Sequence, residues 1–184
     1  MPPRRDFDPA VPPFYPVGLD LRGRQVLVAG AGRVAARRIP RLLDAGALVT
    51  VVAPRAEPLV RQLAEAGRLV WLPREVRAPD VAQAWYVLAA TDSPEANELV
   101  GGQAEQQRIF CVRCDLADAG TARTPAVLDL EGFRLAVLGH GDPRGAMRLR
   151  DRVARALSVP ASGSAPAGGA GGWENGSSPT KVPR

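Results

Sequence analysis

The sequence predicts an α/β fold in which a parallel sheet carries helices on both faces. Three observations support it. Short apolar or β-branched runs alternate with helical stretches, the pattern of successive βαβ units. Two of those stretches stop at a glycine, Gly46 and Gly67, as helices do. The first apolar run leads directly into Gly30-Ala31-Gly32-Arg33-Val34-Ala35, a G-x-G-x-x-A turn from strand to helix.

The elements follow in order. Gln25–Ala29 reads as a buried strand. Residues 34–45 read as a helix, with Val34, Ile39, Leu42 and Leu43 as its apolar positions. Leu48–Val52 is a β-branched strand, 57–66 a helix and 69–72 a short strand. Residues 85–89 form a strand that feeds Thr91-Asp92-Ser93-Pro94-Glu95, a helix start with cap residues, a proline and an early acid. Residues 109–112 are the next strand. The pattern then changes. Ala126–Leu130 and residues 133–138 flank Glu131-Gly132 as a hairpin, and 145–157 is an Arg-rich helix. This hairpin and helix form a small C-terminal appendage that packs on the sheet or pairs with a second subunit. The organisation is thus an extended arm (1–16), a nucleotide-binding domain (17–118), the appendage (119–157) and a tail (158–184) of Gly, Pro, Ser and Ala, expected to be disordered.

With 184 residues, 46% hydrophobic and 23% charged, the chain has room for one domain with a real core. No apolar run reaches the roughly 20 residues of a membrane span. No secretory signal is apparent, so a cytoplasmic protein is expected. The net charge is +5, and Lys181 is the only lysine. Arginine suits anionic ligands, because its planar fork grips carboxylates and phosphates. Nucleic acid fits less well: the chain lacks a dense basic run and has few aromatics. Cys111 and Cys114 form a C-x-x-C pair. Two thiols fall short of a four-ligand zinc site, and Cys111 lies in a buried strand, so both read as reduced structural cysteines. His140, the sole histidine, sits in a Gly-rich loop and reads as structural or exposed.

The glycine turn gives the sheet a Rossmann-like reading. Gly30 allows the turn, Gly32 lets a pyrophosphate approach, and the helix start offers free N–H groups to the phosphates. The acid expected about 20 residues later to hold the ribose is missing. The second strand ends instead in Pro54-Arg55. Arg55 could meet a 2′-phosphate, as in NADP, or backbone groups could hold the ribose of NAD; spacing leaves both open. Thr91 and Asp92 end the fourth strand on the ligand edge, where Asp92 caps the next helix, borders a cofactor, or does both. Asp115 follows the fifth strand on the same edge. Spacing alone makes it a loop aspartate first, and a general base or an oxygen ligand to a metal second. Asp118 is a neighbour with no better claim.

Taken in order, several segments resemble the precorrin-2 dehydrogenase family, which includes the N-terminal module of siroheme synthase. They are Tyr15-Pro16-Val17-Gly18-Leu19, the glycine turn with Arg37-Arg38, Leu42-Leu43-Asp44-Ala45-Gly46-Ala47, Val49-Thr50-Val51-Val52-Ala53-Pro54, Ala89-Ala90-Thr91-Asp92 with Asn97, and Arg108-Ile109-Phe110-Cys111 leading to Asp115. The resemblance runs from about residue 16 to 157. It implies oxidation of precorrin-2 to sirohydrochlorin with NAD+ as hydride acceptor, and some members also insert Fe2+ into the product. It makes Asp115 the catalytic candidate. Gly30, Gly32, Arg33, Val34, Pro54, Arg55, Thr91 and Asp92 become the cofactor-binding set. Arg113, Arg123, Arg144 and Arg148 become the candidates for the substrate's carboxylates. A homodimer is also implied.

The chain departs from the family pattern in two places. Residues 138–144 replace a Ser/Thr-rich segment, Val112 stands where an Asn is usual, and the methyltransferase activity of fused members is not expected. A non-catalytic nucleotide- or tetrapyrrole-binding module is the rival reading.

Overall fold

The computed structural model describes residues 14–139 and 142–157. Most of the arm, His140 and the tail lie outside the described residues. Five parallel strands form one sheet in the order β3-β2-β1-β4-β5. They are β1 (Gln25–Ala29), β2 (Leu48–Val52), β3 (Val70–Leu72), β4 (Tyr86–Ala89) and β5 (Phe110–Arg113). Helix α1 (Arg33–Asp44) joins β1 to β2, α2 (Pro58–Glu65) joins β2 to β3, and α3 (Pro94–Gln106) joins β4 to β5. The order reverses direction after β1, so the strand ends β1 and β4 flank a crevice at the carboxyl edge.

The two sheet faces carry separate cores. Val26, Val28, Val49, Val51, Leu88 and Val112 pack against Ala35, Ala36 and Ile39 of α1 and Val60 of α2. Leu27, Ala29, Val52, Val87, Ala89 and Cys111 pack against Val100 and Ala104 of α3 and against Val81. Near-continuous apolar strands are what a sheet buried on both faces requires. Val81 belongs to a short 3-10 turn (Ala78–Val81) that the apolar pattern did not foretell.

Val34 does not share the buried face of α1. It is 42% exposed, because Ala35, Ala36 and Ile39 form the stripe that meets the sheet. The two cysteines separate across the sheet: Cys111 packs on the α3 face and Cys114 on the α1 face. Alternation along a strand puts side chains three apart on opposite faces, so the pair cannot share a metal or close a disulfide. Burial pushes the Cys111 thiol up to about 11, as suits an unreactive apolar filler.

Hairpin strands β6 (Ala126–Leu130) and β7 (Phe133–Val137) are antiparallel, and α4 (Pro143–Ala156) packs on them. Leu128, Ala146 and Ala154 are buried there, while β7 has no buried residue. The appendage therefore packs on its own helix. It meets the main body at β5, where the Ala122 N–H donates to the Cys111 carbonyl at 3.0 Å, and at α1, where Arg38 Nη1 donates to Thr124 Oγ1 at 2.7 Å.

Candidate functional site

A cavity of about 650 Å³ opens at the carboxyl edge of β1, β2 and β4. Its walls include Gly30, Gly32, Pro54, Arg55, Thr91 and Asp92, which brings six of the eight sequence-predicted cofactor residues together. Arg33 and Val34 begin α1 immediately beside it and are exposed.

The two glycines serve different needs. Gly30 has φ +98°, and a Cβ there would fall 2.3 Å from the Ala90 carbonyl oxygen. It is required by the close approach of the chain just after β1 to the backbone just after β4, with or without a ligand. Gly32 has φ −77°, which any residue adopts, and a Cβ on it would meet nothing within 4 Å. The protein's own packing therefore does not demand glycine at 32. Open space in front of it, at the start of a helix with unpaired N–H groups, fits a phosphate bridge. Buried Ala35 lets α1 lie close to the sheet.

The wall also contains Glu57 and Glu75, which the sequence reading missed. Glu57 is anchored by its N–H, which donates to the Ala31 carbonyl at 3.0 Å. An acid just before the proline that starts α2 was the available signal. Asp92 does not cap α3. Ser93 does, its Oγ accepting from the Ala96 N–H at 3.1 Å, while Asp92 stays exposed on the cavity wall. Serine places an oxygen over the first turn with a shorter reach, and that leaves the carboxylate beside it to the cavity.

Asp115 stands just beyond β5, next to the end of β4, since the Cys114 N–H donates to the Ala89 carbonyl at 2.9 Å. Its carboxylate receives Arg113 Nε at 3.0 Å and Nη2 at 2.6 Å. That two-pronged ion pair, with help from backbone N–H groups and against some desolvation, holds Asp115 well below the usual carboxylate range. The side chain remains 27% exposed, so it can meet a substrate.

The four arginines expected to hold substrate separate into two places. Arg113 is only 8% exposed and is engaged with Asp115, so it supports the carboxylate rather than presenting itself to an outside anion. Arg123 donates to the Gly120 carbonyl at 2.9 Å and pairs with Asp118 at 3.1 Å. Arg144 and Arg148 are on α4, whose contacts are with the hairpin, and Arg148 pairs with Asp142 at 3.3 Å. Among the described residues no group of three or more His, Cys, Asp or Glu side chains could hold a metal ion. No helix of the described residues is long and apolar enough to cross a membrane.

Known proteins resemble this arrangement. A family model described as putative NAD(P)-binding matches residues 17–126. Siroheme synthase 3 of Aeromonas hydrophila subsp. hydrophila is 36% identical over 141 residues, 76% of this chain and 30% of that protein. Siroheme synthase 1 of Serratia proteamaculans is 34% identical over 161 residues, 87% of this chain and 33% of that protein. The chain thus spans about a third of the length of these curated relatives. A solved structure described as SirC, precorrin-2 dehydrogenase, matches with a TM-score of 0.68 at 28% identity, covering 78% of this chain and 71% of its own.

Proposed function

The chain belongs to the putative NAD(P)-binding family that includes precorrin-2 dehydrogenase, and on that premise we propose that it oxidises precorrin-2 to sirohydrochlorin with NAD+. The observation that carries this reading is a charged carboxylate on the same carboxyl edge of the sheet as the cofactor-sized cavity. Thr91 lines the cavity at the end of β4, and Asp115 stands just beyond the neighbouring β5, where the Cys114 N–H donates to the Ala89 carbonyl at 2.9 Å.

The oxidation takes one hydride and one proton from the macrocycle. Gly30 and Gly32 would hold a nicotinamide cofactor, and that group would supply the hydride acceptor. Loss of hydride leaves positive charge spread over the conjugated ring. The Asp115 carboxylate, kept ionised by Arg113, stabilises that charge and then takes the proton. A weakly basic carboxylate suffices, because the cation is a strong acid. Exposure lets Asp115 pass the proton on to water.

Cofactor choice follows from charge. Arg55 alone would welcome a 2′-phosphate, but Glu57 and Glu75 share its wall and oppose one, which supports NAD+ over NADP+. Arg123, Arg144 and Arg148 are the arginines proposed to meet the substrate's carboxylates. The exposed strand β7 is the proposed homodimer surface, and the cytoplasm the proposed site of reaction. Insertion of Fe2+ into sirohydrochlorin would use the same carboxylate to take pyrrole protons. It is measured against the spontaneous rate.

Purified protein mixed with precorrin-2 and NAD+ should form sirohydrochlorin, read by its absorbance, faster than with NADP+. Bound NAD+ without turnover would replace this reading with a binding-only module.

A further inference from the structure

Both walls of the cavity are held from behind. On the β4 side, Asn97 of α3 is buried and its amide brackets Thr91. Its oxygen accepts from the Thr91 N–H at 3.0 Å, and its Nδ2 donates to the Thr91 carbonyl at 3.0 Å. On the β3 side the support is ionic. The link from β3 to β4 is a loop and the 3-10 turn, where the other connections within the sheet carry α-helices. That loop supplies Glu75 and Val76 to the cavity wall, with Glu75 exposed and Val76 as its apolar tie to the core. It leaves the sheet beside the end of β2, since the Ala53 N–H donates to the Leu72 carbonyl at 3.2 Å. In a sheet of this strand order the end of the second strand takes the adenosine ribose, so the loop borders that half of the cavity. Arg74 and Asp80 close the loop. Arg74 Nη1 and Nη2 donate to the two Asp80 oxygens at 2.7 and 2.6 Å, and Nη1 also donates to the Glu75 carbonyl at 3.0 Å. Asp80 accepts further from the Arg77 N–H at 2.8 Å. Its turn is rooted by Val81, which is fully buried. One guanidinium thus grips an anchored carboxylate and the backbone of a cavity-wall residue.

We propose that Arg74 and Asp80 are positioning residues for cofactor choice: their clamp holds the loop so that Glu75 faces the ribose 2′ position and its charge rejects a 2′-phosphate. Rigidity matters here. A glutamate on an unheld loop turns to water, where its charge is screened, and Arg55 on the same wall is left to welcome the phosphate. The two-pronged bond suits the task, because a guanidinium fork fixes direction as well as distance. The proposal rests on a nicotinamide dinucleotide occupying the cavity, and not on which substrate is oxidised.

Calorimetric titration with NAD+ and with NADP+ tests it without turnover. Glu75→Gln removes the charge at an exposed site and should raise the ratio of NADP+ to NAD+ affinity about tenfold. Asp80→Asn keeps the size and an acceptor for the Arg77 N–H but loses the ion pair, and should raise the same ratio about fivefold. Glu75→Gln added to Asp80→Asn should then raise it by only about twofold more, because the loosened loop has already withdrawn the charge. Fully additive effects would overturn the proposal. So would a lower melting temperature with the affinity ratio unchanged, since the clamp would then serve stability alone. If Asp80→Asn does not fold, Arg74→Lys takes its place with the same expectation, as it keeps the charge and removes the fork. A native protein that binds neither nucleotide would overturn the cofactor reading and the proposal together. One that binds NAD+ but does not oxidise precorrin-2 would remove the dehydrogenase reading alone, and the affinity ratios would still decide the clamp.

Discussion

At the residue scale, the glycine turn separates into a structural glycine and a ligand-facing one. Gly30 must be glycine because a side chain would strike the end of β4. Gly32 faces open space in an ordinary conformation. Gly32→Ala should therefore change folding stability by less than about 1 kcal/mol, a methyl at an N-cap being a small loss. The same methyl should weaken NAD+ binding by about tenfold or more, because it occupies the path of the pyrophosphate. Calorimetric titration and urea unfolding of one protein sample check both halves. Unchanged NAD+ affinity would place the cofactor elsewhere. Spacing made this turn readable in the sequence. Arg113 was not readable in the same way. Its two-residue separation from Asp115 looked like a substrate arginine beside a base, and only the strand geometry showed the two side chains joined. Asn97 was hidden for a related reason. A polar residue in a helix reads as exposed until the packing buries it.

At the element scale, strands and most helices were legible because their apolar runs and stop signals are local. β1, β2 and β6 span the residues expected, and the other predicted elements shift by one or two residues at their ends. The 3-10 turn at Ala78–Val81 was not legible, since Val81 is its one buried residue and has no periodic neighbours. That segment is held instead by charge: Arg74 donates to Asp80 at 2.7 and 2.6 Å. The start of α3 carries a separate prediction. Ser93 caps it and Pro94 begins it, directly after the cavity-wall residues Thr91 and Asp92. Ser93→Ala should cost about 1 kcal/mol of stability, measured by urea unfolding. A cost near zero would show that Pro94 alone defines the helix start.

At the scale of the whole molecule, two acids support the sheet's ligand edge and one flank. Arg113 lowers Asp115 and Arg74 lowers Asp80 from the ordinary value of 3.8. A folded-state value below the unfolded one gives stability that is complete above the unfolded value. It is lost as pH falls through the folded one. The urea midpoint should therefore stay level from about pH 7 to 5 and drop below about pH 4, and Arg113→Gln should flatten part of that drop. An identical drop in the variant would remove Asp115 from this role. The appendage sets the second whole-molecule expectation. Phe133 is 79% exposed on a strand with no buried residue, so Phe133→Ser should weaken the proposed homodimer without unfolding α4. Light scattering across a dilution series reads this, and a native chain that is monomeric throughout would refute the homodimer. The most direct measurement compares native protein with Asp115→Ala in steady-state oxidation of precorrin-2 by NAD+, with NAD+ affinity measured on both. Loss of roughly a hundredfold or more in kcat with NAD+ affinity intact is the expected result, given what a positioned proton acceptor and a charge beside the forming cation contribute. Retention of kcat within a few-fold would contradict it and take the chemistry away from the β5 edge.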